Sequence, residues 1–122
     1  LGITQARNES SSLISTRVRQ AREKQRIRFQ GTGLRFNSDM GPQDIQKYCR
    51  LGIREKRMLE QIFHSMNLSA RAYHRIIKVA RTIADLDGAA QISEMHLTEA
   101  SCYRLADTQY GKENQRNAGE IV

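Results

Sequence analysis

The sequence predicts an all-α fold, a small bundle of about five helices with disordered termini. Apolar residues recur at three- and four-residue spacing in several segments, as one face of a 3.6-residue helix requires. No strand-length run alternates Val, Ile or Thr with polar residues, and glycines separate the periodic stretches, with Pro42 the single proline.

Ser10, Ser11 and Ser12 offer N-caps to a long first helix reaching about Phe29, with Leu13, Ile14, Val18 and Ala21 on one side. Gly31, Gly33, Asn37, Gly41 and Pro42 favour turns and break that helix. A short second helix is expected from Pro42 to about Cys49. After Gly52 a third runs from about Arg54 to Met66, with Met58, Leu59, Ile62, Phe63 and Met66 at helical spacing. Ser69 is the N-cap candidate of the best-marked helix, which carries Tyr73, Ile76, Ile77, Ala80, Ile83 and Ala84 on one face and stops at Gly88 after Leu86 or Asp87. Ser93 caps a fifth helix to about Ala106, in which Met95, Leu97, Ala100, Tyr103 and Leu105 complete the bundle. The expected organisation is a flexible lead over 1–9, a helical domain over 10–106 and a disordered tail over 107–122, because the tail has almost nothing to bury.

A chain of 122 residues, 39% apolar and 27% charged, suits one soluble domain with a single core. It has no run of roughly 20 apolar residues and no apolar leader, so neither a membrane span nor a signal peptide is expected and the placement is cytoplasmic. Lys and Arg outnumber Asp and Glu by 20 to 13, a net charge of +7 that attracts polyanions such as nucleotides or nucleic acid. Cys49 and Cys102 lie far apart without His or Cys at ligand spacing, and read as reduced, half-buried thiols. His64, His74 and His96 form no H-x3-H or HExxH pattern, so no metal is expected.

No GxxxxGK[ST], GxSxG, HExxH or GxGxxG occurs, which argues against catalysis by this chain alone. Gly31-Thr32-Gly33 is read as a flexible loop. On the helix after Ser69, Arg71, Arg75, Lys78, Thr82 and Asp85 form a polar stripe, with Arg71 in the first turn. A cation there opposes the helix dipole at a cost of about 0.3–1 kcal/mol when exposed. An anion beside it would instead meet free helix N–H groups and a bidentate guanidinium. A solvated arginine beside a cap stays the alternative. Arg81 lies on another stripe of this helix and is expected to serve as the control position for Arg71. The first helix sets Arg17, Arg19, Arg22, Lys24, Arg26 and Arg28 against Glu23 alone. Arg19, Arg22 and Arg26 are the candidate nucleic-acid contacts. Interleaved aromatics are missing, so a solvated or subunit-contacting face is the competing reading.

The run LSARAYHRIIKVARTIADLDG followed by IS-x-x-HL-x-EA-x-x-YR resembles the C-terminal domain of magnesium-chelatase-like AAA+ ATPases. The likeness extends upstream through SSSLISTRVRQAREKQRIRFQGTGLRFNSDM, similar to the family's R-V-x-x-A-R-x-x-Q-x-x-R-F helix and Asn-containing loop. The resemblance implies a helical lid that follows an ATP-binding α/β domain. It makes Arg71, in its S-x-R setting, the sensor-2 candidate, with Arg75 as a possible second phosphate contact. It further implies ATP and Mg²⁺ in the full-length parent, none bound by the isolated domain, neighbouring subunits of a hexameric ring as partners, and a role in DNA processing. An independent, histone-like DNA-binding module is the rival reading, and a purely structural scaffold a third.

Overall fold

In a computed structural model, the structure describes the backbone of residues 2–113 and the side chains of residues 11–103. Five helices follow one another: α1 (Gly2–Arg28), α2 (Pro42–Tyr48), α3 (Ile53–Ser65), α4 (Ala70–Leu86) and α5 (Glu94–Glu113), with a 3₁₀ turn over Asn37–Asp39 between α1 and α2. No strand occurs among the described residues, and none of their helices is long and apolar enough to cross a membrane.

The inner three helices begin and end within a residue or so of the expected positions, and their ends show why. Ser69 Oγ accepts the Ala72 N–H at 3.1 Å, the predicted cap. At the other end of α4, Gly88 takes φ +72° and donates to the Asp85 carbonyl, while the Ala89 N–H reaches the Ala84 carbonyl at 2.8 Å. This paired closure satisfies carbonyls that the last turn leaves open, and glycine adopts its left-handed φ without a Cβ clash. The end of α3 uses the same device with Asn67 at φ +51°, and the Leu68 N–H bonds the Phe63 carbonyl at 3.0 Å as Leu68 turns into the core.

The outer helices differ from expectation. α1 begins at Gly2, so Ser10, Ser11 and Ser12 lie inside it rather than capping it. A continuous helix engages the backbone N–H groups a cap would satisfy, and serine in the interior costs only a few tenths of a kcal/mol relative to the best helix formers. α5 runs past Ala106 to Glu113. The expected tail lies outside the residues with described side chains, and 114–122 lie outside the described backbone as well.

The core is organised around α4, which packs against α5, α1, α2 and the 3₁₀ turn. Ala80 and Ala84 are fully covered, their small side chains allowing neighbouring backbones to approach. Leu59, Ile76 and Leu97 fill the space around them, and Phe29 meets Tyr48 edge-to-face at 5.3 Å to join α1 to α2. The apolar side of α1 is only half used: Ala21 is buried, whereas Leu13 and Ile14 are each more than half exposed. On α5, Leu97 and Ala100 are buried, but Met95 and Tyr103 face outward and do not complete the bundle.

Candidate functional site

Arg71 is the second residue of α4, and no acidic side chain shares its first turn. Its side chain is exposed and makes no hydrogen bond or ion pair among the described residues. Ser69 satisfies one of the N–H groups of that turn, and the remaining free N–H groups add to the positive end of the helix dipole. Two residues further on, Tyr73 meets Phe63 edge-to-face at 5.5 Å and His74 at 5.7 Å. Burial, helped by the charge of Glu60, pushes the Tyr73 hydroxyl above its ordinary pKa, so it stays neutral. Arg75, one turn along, is exposed but already has an interaction partner.

The predicted polar stripe does not stay on the surface. Lys78 Nζ donates to the Ser38 carbonyl at 3.2 Å, Thr82 Oγ1 accepts from Asn37 Nδ2 at 3.1 Å, and Asp85 is buried. Asp85 is the centre of a polar cluster that links α1, the 3₁₀ turn and α4. Arg28 grips its carboxylate in bidentate fashion at 2.9 and 2.7 Å, Asn37 Nδ2 donates at 2.9 Å, and Arg81 Nε donates at 3.2 Å. Arg28 also donates to Asn37 Oδ1 at 2.9 Å, and Gln25 Oε1 accepts the Asn37 backbone N–H at 2.9 Å. Arg81 continues to the carbonyls of Ala89 and Ala90, at 2.8 and 3.1 Å, and so fixes the turn after α4.

Burial is the largest single influence on the Asp85 carboxyl and opposes ionisation. The hydrogen bonds from Arg28 and Asn37 and the charges of Arg81 and Arg28 together outweigh it and hold the group below its ordinary range. The Asp85 hydrogen bond likewise raises the Arg28 pKa against the effect of burial. Buried ion pairs of this kind add little net stability over an apolar substitute but are costly to break.

Arg81 is thus no surface control for Arg71. It is 4% exposed and structural. An arginine four residues before an aspartate on one helix was the available signal, but spacing alone also fits an exposed pair.

The cations of α1 separate in the same way. Arg19 and Arg22 are exposed, and Arg26 is exposed but held by Glu23 at 2.9 and 2.6 Å. Arg28 is taken by Asp85. The three nucleic-acid candidates therefore share one helix with unequal freedom. Cys49 is buried, and burial pushes its thiol up to about 11, which makes it inert near neutral pH; Cys102 is exposed rather than half-buried. Among the described residues no three His, Cys, Asp or Glu side chains are grouped to hold a metal ion.

A second polar joint connects α4 to α5. His96 Nδ1 accepts the Ser93 backbone N–H at 2.9 Å, which places the proton of the neutral ring on Nε2, where it donates to Asp87 at 2.9 Å. His96 so takes the place of the acidic or amide residue of a capping box at the start of α5.

Residues 8–104 match the family described as magnesium chelatase, subunit ChlI C-terminal. The chain is 42% identical over 102 residues to "Uncharacterized protein YifB" of Salmonella typhimurium, covering 84% of this chain and 19% of that protein. It is 40% identical over 98 residues to "Competence protein ComM" of Haemophilus influenzae, covering 80% of this chain and 18% of that one. With "Uncharacterized protein YifB" of Escherichia coli it shares 38% identity over 99 residues, 81% of this chain and 19% of the relative. The chain thus spans about a fifth of the length of these relatives. No solved structure matches it significantly.

Proposed function

Because this chain belongs to the magnesium chelatase ChlI C-terminal family, we propose that it is the helical lid of a AAA+ ATPase, with Arg71 as its sensor-2 residue. The supporting observation is an exposed guanidinium at the positive end of α4, without an acidic neighbour in its turn and without a hydrogen-bonding partner among the described residues. That arrangement is electrostatically unfavourable until an anion arrives, and a nucleotide phosphate supplies one. In the parent protein an upstream ATP-binding domain holds ATP and Mg²⁺. Arg71 then contacts phosphate oxygens from the same subunit or from a neighbour in a hexameric ring, which couples nucleotide state to the lid angle. Arg75 is a secondary phosphate contact in this reading.

The division into lead, lid over 10–106 and tail belongs to the same proposal. So do the cytoplasmic setting and the absence of hydrolysis by the isolated lid, whose sequence carries no phosphate loop. DNA processing is the proposed work of the motor. It is supported by the exposed cations of α1 and by a relative named as a competence protein. The test compares the parent ATPase with its Arg71→Ala, Arg71→Lys and Arg50→Ala forms, Arg50 being an exposed arginine between α2 and α3. Hydrolysis is expected to fall by tenfold to about a thousandfold in Arg71→Ala, with partial recovery in Arg71→Lys and no change in Arg50→Ala. Wild-type turnover and nucleotide affinity in Arg71→Ala would refute the assignment.

A further inference from the structure

A cleft of about 300 Å³ opens between α1 and the turn after α4, lined by Lys24, Ile27, Arg28, Arg81, Ala89 and Ala90. It lies at the opposite end of α4 from Arg71: Arg81 alone is ten residues further on, about 15 Å at 1.5 Å per residue. Three of its six lining residues are cationic, and among the described residues a single carboxylate, Asp85, stands behind them. Asp87 is occupied with His96, and Glu23 with Arg26, so neither balances the cleft.

The donors are not exhausted by the interior. Arg28 uses both of its terminal nitrogens on Asp85 and Asn37, yet its Nε–H has no acceptor among the described residues. Lys24 is half-buried and its ammonium has none at all. Arg81 is 4% exposed, so its charge acts from a poorly hydrated position where fields are strong. Two guanidiniums sharing one carboxylate leave an excess positive charge held in place by the fold. Ile27 and Ala89 supply apolar walls, and at about 30 Å³ per water the space admits a phosphate group with residual hydration.

From this geometry we infer that the cleft between α1 and the 88–90 turn is a phosphate-binding site, separate from Arg71, with Lys24 and Arg28 as its contacts and Arg81 as its fixed field. Arg17 lies seven residues before Lys24 on the same stripe of α1, so a second phosphate of an extended ligand meets it there. Arg19, five residues from Lys24, lies about 140° round the helix and takes no part. The ligand is a phosphate group, carried either by a free nucleotide or by a nucleic-acid backbone.

The chain itself is titrated with inorganic phosphate, ATP and an eight-residue oligothymidylate at constant ionic strength, followed by ¹H–¹⁵N NMR. Each titration is repeated with Lys24→Gln and with Arg57→Gln, an exposed arginine of α3 that does not line the cleft. Lys24 has no partner among the described residues, so its replacement preserves the fold, which the spectra verify; Arg28 and Arg81 stay unmutated because they hold the bundle. The expected result is saturable shifts at Lys24, Arg28, Ala89 and Ala90, about tenfold weaker binding in Lys24→Gln and unchanged binding in Arg57→Gln. Lys24-dependent binding of ATP alone assigns the site to nucleotides, and Lys24-dependent binding of the oligonucleotide assigns it to nucleic acid. Failure of all three probes to saturate at the cleft, or equal loss in Lys24→Gln and Arg57→Gln, would overturn the inference.

Discussion

Replacing Asp85 by Ala removes the one carboxylate that holds α1, the 3₁₀ turn and α4 together. Its side chain is fully buried and receives four hydrogen bonds, two from Arg28, one from Asn37 and one from Arg81. Without it, two guanidiniums face each other beside an Asn37 amide that has lost one of its two acceptors. Breaking a buried pair by removing one partner costs about 3–5 kcal/mol. Arg28 retains 15% side-chain exposure, so water can reach it and the lower part of that range is expected. For a domain near 100 residues, 3–4 kcal/mol corresponds to a fall in Tm of about 12–30 °C. Urea unfolding followed by circular dichroism measures the loss directly, and Arg28→Met combined with Asp85→Leu supplies the counter-test, since matched apolar replacement of a pair restores much of the stability. A change below about 1 kcal/mol in Asp85→Ala would show that the cluster is a solvated surface network and that the reasoning is wrong.

Acid should act through the same group. The folded-state pKa of Asp85 lies below its ordinary value of 3.8, so its contribution is complete well above that pH and is lost as pH falls through 3.8 toward the folded value; urea midpoints that stay level down to pH 2 in wild type would contradict this. Arg71→Ala should change unfolding by no more than about 1 kcal/mol, whereas Arg81→Ala should cost several times that, and equal thermal shifts would contradict the burial difference. His96→Ala should destabilise by about 1–2 kcal/mol by removing the Ser93 and Asp87 bonds, with His96→Gln recovering part of it in the same melt. DNA binding through α1 should be weak and steeply salt-dependent, with Arg19→Gln and Arg22→Gln weakening it more than Arg26→Gln, because Glu23 already neutralises Arg26; filter binding across a chloride series reads both, and a salt-insensitive affinity would exclude phosphate contact.

The all-helical class, the order of five helices and the inner helix ends were legible in the sequence because local chemistry sets them. A serine before an apolar repeat caps the helix that follows, a glycine after one permits left-handed closure, and helical spacing marks a buried face. The family resemblance was legible for a related reason, since the motif quoted from it contains Gln25, Arg28, Phe29, Asn37, Arg81 and Asp85 as a string of residues. What those residues do was not legible. Arg28 and Asp85 are 57 positions apart, and only the packing of α1 on α4 brings them within 2.7 Å. Charge on a helix looks alike in a sequence whether it is solvated, as at Arg71, or buried against a partner, as at Arg81. Burial decides between these cases, because removing a charge from water is tolerable only where an opposite charge from another element meets it. Tertiary structure alone therefore sorted the arginines into those that hold the bundle and those left facing solvent.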